Sequence, residues 1–288
     1  MNKFALGPIR FTLLRVVTLN SPDRQELMMK RRDFMVSGLA LAGVNSTIWG
    51  TPGAGTRAWL ELRLFHLRND LERSRLDKFL AEGFLPAFKK LGRSPLGFFN
   101  VSMGAQMPMM VVLTSYLSLG EMESILEKLS QDPTWNRALD ELDGPQPMAY
   151  TRTESCLLRA FATLPAIVVP PQEPDAQPHV FELRTYESRN MRASDTKVRM
   201  FDEGEIDIFR SCGMLPVFFG QTLVGCGQPS LTYMLAYESM EAREKVWQRF
   251  ANHPDWLKLR VKPGFADSEI VSSISSCYLR PTSYSEIR

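Results

Sequence analysis

The chain repeats itself at one fixed spacing, and this bounds its fold more tightly than any other feature. Leu60-Glu61-Leu62-Arg63-Leu64-Phe65 returns 121 positions later as Phe181-Glu182-Leu183-Arg184-Thr185-Tyr186. The same step carries Phe88 to Phe209, Gly92 to Gly213, Pro95 to Pro216, Phe98 to Phe219, Tyr116 to Tyr237, Trp135 to Trp256 and Ser155-Cys156 to Ser276-Cys277. A constant, ungapped offset of this reach means two copies of one structural unit, over residues 58–160 and 179–281. The stretch from Pro165 to Pro178 lies between them; its prolines favour extended backbone, as in a semi-rigid linker. The expected organisation is an N-terminal extension (1–56), a first repeat (57–164), the linker (165–178) and a second repeat (179–288).

Each copy can be read twice. Trp59 to Phe65 and Val180 to Tyr186 alternate apolar with charged residues, the period of a strand. Leu76, Leu80, Phe84, Phe88 and Leu91 then fall near one helical face, as do Val198, Phe201, Ile208, Phe209 and Cys212. Gly92 and Gly213 follow, suited to a left-handed helix end, and Pro95 and Pro216 forbid continuation. Two strand-like runs come next (96–103 and 109–116; 217–224 and 231–237), then a second helix and a last strand (154–159; 274–280). The order βαββαβ is ferredoxin-like, an α+β class with helices on one sheet face. The other apolar face needs a cover, so the two copies are expected to pack their sheets as a barrel-like pair within one chain.

Composition narrows the functions. A net charge of +2, without a basic run, gives no electrostatic support for nucleic acid. Four cysteines and three histidines show no zinc spacing, so neither a metal nor a cofactor is expected. Lys30-Arg31-Arg32-Asp33-Phe34 precedes a short apolar run from Val36 to Val44 and then small residues, the layout of an export signal of the twin-arginine kind. The run is too short to span a bilayer. The expected location is periplasmic.

The second copy carries further landmarks: Phe209-Arg-Ser-Cys-Gly-Met-Leu-Pro216, Leu231 to Tyr237, Ala242-Arg243-Glu244, Trp247 and Pro254-Asp255-Trp256. In this order they resemble the NIPSNAP family. The first copy keeps them in part, with Phe65 where the family has Tyr. The resemblance implies a dimeric α+β barrel, a fold shared by cofactor-free monooxygenases, some haem enzymes and small-molecule binders. It implies no catalytic residues.

Glu182, Arg184 and Tyr186 share one strand face. One reading makes them an ion pair and a core tyrosine that fix the sheet. The other makes them a polar patch inside the barrel, orienting a ligand between walls supplied by Phe219, Tyr233 and Tyr237. The expected function is accordingly binding of a small apolar molecule or a protein partner, with a cofactor-independent oxygenase or isomerase as the alternative, in which Arg184 and Tyr186 polarise a carbonyl or phenolate. His66, His253 and His179 are expected at surface or turn positions. Cys156 and Cys277 sit at equivalent places on the last strands, as buried thiols or as a disulfide. Asp132 and Pro133 read as a helix start, and Trp135 and Trp256 as core anchors.

Overall fold

Side-chain caps set where the helices begin. Asn69 and Asn190 accept from the backbone N–H groups of Glu72 and Ala193, and Ser118 and Ser239 from those of Glu121 and Ala242. Asp132 accepts from Thr134 and Trp135, with Pro133 at the first helical position, as the sequence predicts. The computed structural model describes residues 56–144, 148–173, 176–225 and 227–288. The expected export signal lies outside them.

The first copy runs β1 (Trp59–His66), α1 (Asp70–Phe79), α2 (Leu85–Lys90), β2 (Gly97–Met103), β3 (Met109–Tyr116), α3 (Leu119–Ser130), α4 (Pro133–Leu142) and β4 (Arg152–Ala160). The second runs β5 (Val180–Glu187), α5 (Met191–Met200), α6 (Ile206–Ser211), β6 (Leu215–Val224), β7 (Ser230–Tyr237), α7 (Met240–Ala251), α8 (Pro254–Leu259), α9 (Asp267–Ile270) and β8 (Ser273–Pro281). The first helix expected in each copy is broken by one π-helical turn, Leu80–Phe84 and Phe201–Glu205, which periodicity alone does not reveal. Gly92 and Gly213 take positive φ (75° and 86°) at the helix ends.

The eight strands close into an antiparallel barrel in the order β1-β3-β2-β8-β5-β7-β6-β4, with β4 pairing back onto β1. Two seams join the copies, β2 with β8 and β4 with β6. The interior is filled from both halves: Leu60, Phe99, Leu158, Phe181, Phe218 and Leu279 are fully buried in one cluster. At about 1.5–3 kcal/mol per large apolar side chain, this shared core binds the halves together. Each half also has its own core between sheet and helices, around Phe84, Phe88 and Phe98 in the first and Phe201, Phe209 and Phe219 in the second.

The segment after each last strand crosses to the other copy. Phe161 and Val168 donate to Phe219 and Val217 O, and Thr282 and Glu286 donate to Phe98 and Leu96 O. The expected linker is therefore docked over its first residues. Two histidine expectations need correction, and the cysteine alternatives resolve in favour of thiols. His66 is buried, not superficial, because the neighbouring strand brings Glu154 Oε1 within 2.9 Å of its Nε2. Cys277 is a free thiol, pushed by burial up to about 11, so the disulfide with Cys156 is not formed. His179 is likewise buried, with Nδ1 2.8 Å from Arg288 O, while His253 caps α8.

Candidate functional site

Strand alternation puts Glu182, Arg184 and Tyr186 on one side of β5 and Phe181 and Leu183 on the other, as the sequence predicts. The side is the opposite of the one expected. Phe181 and Leu183 enter the barrel, whereas the polar three lie under the helices of the second half. On the barrel side of β5 and β7 the Thr185 and Thr232 hydroxyls are spent on each other at 2.9 Å, whereas the helix layer offers the carboxylate an arginine.

Glu182 is completely buried and accepts four hydrogen bonds. Arg243 Nε and Nη2 donate at 2.8 and 2.9 Å, Arg184 Nη1 at 2.8 Å and Tyr237 OH at 3.2 Å. Burial would raise its pKa, but the hydrogen bonds and charges of Arg243 and Arg184 overcome this and hold it below the usual carboxylate range. Trp247 Nε1 donates to Tyr237 at 2.9 Å. Burial and the neighbouring Glu182 push the Tyr237 phenol up, so it remains a donor.

Arg184 continues the chain. Its Nη2 donates to Tyr186 OH at 3.2 Å and its Nη1 to Ser276 Oγ at 3.1 Å, and its guanidinium lies 4.8 Å from the Trp247 ring. Its Nε is buried without an acceptor among the described residues. Tyr233 OH donates to Tyr186 OH at 3.0 Å, and Phe219 stacks on Tyr233 at 4.9 Å. All six expected residues are thus brought together. Five of them form a buried, largely self-satisfied polar chain, and Phe219 packs on its Tyr233 end.

Sequence reading missed a second group. Lys197 on α5, only 1% exposed, points its ammonium at Glu205 Oε2 (3.1 Å) and Asp267 Oδ1 (3.2 Å), with the rings of Tyr186, Phe201 and Trp256 within 5.0–5.8 Å. Burial alone would neutralise the amine, but the two carboxylates overcome it and keep it charged. The signal lay in the repeat. In the first copy the positions of Lys197, Glu205, Tyr186, Tyr233, Arg243 and Trp247 hold Leu76, Phe84, Phe65, Val112, Met122 and Leu126. There Glu61 is satisfied by Arg63 Nε (2.6 Å), Tyr116 OH (2.9 Å) and Ser155 Oγ (2.8 Å), without a helix arginine.

Two surface clefts among the described residues bear on the site. One of about 550 Å3 lies between α1 and α4, among the exposed, mixed charges of Lys78, Glu82, Arg137 and Glu141, and touches none of the candidate residues. The other, about 440 Å3, lies between the start of α7 and the end of β7 and reaches Tyr237. Leu215 and Val246 give it an apolar wall, and Lys245 and Arg249 stand on its rim. At the equivalent place in the first half stands an ion pair, Arg93 Nη1 to Glu121 Oε2 at 3.0 Å. The second half has Met214 and Ala242 at those positions.

Among the described residues no helix is long and apolar enough to cross a membrane, and no group of His, Cys, Asp and Glu is arranged to hold a metal ion. Comparison with solved structures places the fold. A protein from Lactobacillus acidophilus NCFM described as a candidate monooxygenase aligns over 78% of this chain and 94% of its own, with 9% identity and a TM-score of 0.54. One from Fusobacterium nucleatum, described likewise, covers 78% and 93% with 9% identity and a TM-score of 0.52. A NIPSNAP family protein of unknown function from Agrobacterium tumefaciens is 20% identical over 38% of this chain and 95% of its own, with a TM-score of 0.35. At such identities the first two likenesses speak for the fold alone. No match was found among curated proteins. The NIPSNAP family model matches residues 60–162 and 181–286, so both copies carry its pattern and the chain belongs to the NIPSNAP family.

Proposed function

We propose that the protein is an exported binding protein whose second half takes a small, largely apolar molecule in the cleft at Tyr237, while the first half serves as scaffold. The observation that carries this reading is the difference between the copies at one place. Arg93 and Glu121 pair there in the first half; Met214 and Ala242 take their positions in the second, where the cleft opens. The inner wall of the cleft is the one candidate residue within a ligand's reach there, Tyr237, held in place by Glu182 and Trp247. Native mass spectrometry of the intact chain tests it. A copurifying small molecule, lost on mutation of the cleft wall at Val246 or Leu215, is the expected result; its retention in both variants would sink the cleft as the site.

One observation favours an enzyme as the second reading. The Tyr186 and Tyr233 hydroxyls have two protons between them and a single mutual acceptor contact, so one buried O–H has no acceptor among the described residues. Beside Arg184 such a proton could be given to a carbonyl or phenolate oxygen. Two proteins described as candidate monooxygenases share the fold. Oxygen uptake or isomerisation by the copurified molecule, abolished in Tyr186→Phe, would move the assignment from binder to enzyme.

A further inference from the structure

We propose that the ligand of the Tyr237 cleft is a small carboxylic acid with an apolar body, its carboxylate taking the place that the Glu121 side chain holds in the first half; this rests on the cleft being the binding site. In the first half the opening turn of α3 is closed by a carboxylate. Ser118 Oγ accepts from Glu121 N–H at 3.0 Å, and Glu121 Oε2 in turn accepts from Leu117 N–H at 2.6 Å and from Arg93 Nη1 at 3.0 Å. A backbone amide, a guanidinium and the positive end of a helix converge on one anionic group.

The second half keeps the frame and omits the anion. Ser239 still caps α7, accepting from Ala242 N–H at 3.0 Å. Alanine at this position leaves Glu238 N–H, the equivalent of Leu117 N–H, without an acceptor among the described residues. The cation is supplied from another direction. Arg249 Nη2 lies over Gly213, 3.2 Å from where a Cβ would stand, and has no carboxylate partner among the described residues. Gly213, with φ +86°, is also where a side chain would be strained and would meet that guanidinium. A cleft of about 440 Å3 therefore combines an unanswered amide at a helix start, an arginine without a carboxylate partner among the described residues, and a lining that includes Leu215, Val246 and Tyr237. The acids on its rim limit the affinity and also the ligand's charge. Glu241 is engaged by Lys245 at 2.7 Å, and Glu238 stands exposed, so a single carboxylate fits and a polyanion does not.

Octanoate, octanol and octylamine are the probes, titrated calorimetrically onto the chain and onto three variants. Octanoate is expected to bind and octylamine not to. Ala242→Glu, alone or with Met214→Arg, grafts the first half's carboxylate or its ion pair into the cleft and should weaken octanoate at least about tenfold, with a thermal midpoint no lower than that of the parent. Arg249→Ala should weaken octanoate while leaving octanol unchanged. Octanol binding as tightly as octanoate would overturn the carboxylate while leaving the cleft as an apolar site. Octanoate binding untouched by the grafted residues would overturn the cleft itself, and absence of heat from all three probes would overturn the carboxylate.

Discussion

Replacing Lys197 by leucine, the residue at the equivalent position 76, should be among the most damaging single changes in the second half. The ammonium is 1% exposed and Glu205 2% exposed, so its removal strands a buried carboxyl, whereas the half-exposed Asp267 can turn to water. Breaking a buried pair on one side costs about 3–5 kcal/mol, a large share of a domain's whole stability of about 5–15 kcal/mol. The loss must depend on pH. Burial already pushes Glu205 up, and without Lys197 nothing comparable opposes that push. In the variant Glu205 then binds a proton in the folded chain more tightly than in the unfolded one. The contribution is fully present below the unfolded pKa and fades as pH rises through the folded one, by about 1.4 kcal/mol per pH unit. Urea unfolding of Lys197→Leu at about pH 5.5 and about pH 8 should therefore show the greater deficit at the higher pH. The double variant Lys197→Leu/Glu205→Phe copies Leu76 and Phe84 and should recover most of the loss, since apolar replacement of a buried pair is often neutral or stabilising. A single variant with a pH-independent deficit, or a double variant as unstable as the single, would refute the reasoning.

Three further outcomes are expected. Fragments 58–164 and 172–288 should be insoluble or homodimeric, because each loses both seams and half of the barrel core; a monomeric half that unfolds cooperatively in analytical ultracentrifugation and melting would contradict this. Tyr186→Phe should cost about 1–3 kcal/mol, because Arg184 and Tyr233 lose their acceptor inside the protein, whereas Phe65→Tyr, beside the apolar Val112, should give no new binding; equal and negligible effects in thermal melts and ligand titrations would argue against asymmetry. Arg31→Lys with Arg32→Lys should leave the protein in the cytoplasm on cell fractionation, and unchanged export would remove the twin-arginine route.

The architecture was legible because the repeat made every pattern readable twice. Strand alternation, the glycines that end the helices and the Asp132-Pro133 helix start all appear where the sequence puts them. Alternation states which residues share a face, not which face is inside, and Glu182 shows the limit. Both faces of β5 are buried, so exposure does not separate them; what decides is that Arg243 and Trp247 reach down from α7 on one side only. The π-helical turns escaped notice because one extra residue in a turn barely disturbs an apolar stripe. Lys197 and Glu205 leave no mark on the helical periodicity of their own copy and stand out only against Leu76 and Phe84 at the same positions of the other copy.

That position-by-position contrast separates what the fold requires from what it merely tolerates. Glu61 with Arg63 and Glu182 with Arg184 are present twice, each carboxylate buried and each satisfied by a tyrosine of the adjoining strand, Tyr116 or Tyr237. A barrel with two such halves uses this pair as a fastening between strands. The residues found once are of a different kind. Lys197, Glu205, Tyr233 and Arg243 put charge and hydroxyls where the first half packs Leu76, Phe84, Val112 and Met122 around the same backbone. Burying them brings desolvation costs that the apolar residues avoid, so stability is a poor reason for their presence. The open cleft is found on the same side of the molecule's internal symmetry, and it meets the polar chain at Tyr237. Buried charge, an unspent phenol proton and an open cleft in one half, against an apolar counterpart with an ion pair at the cleft's place in the other, are what a molecule with one working site and one supporting copy should contain.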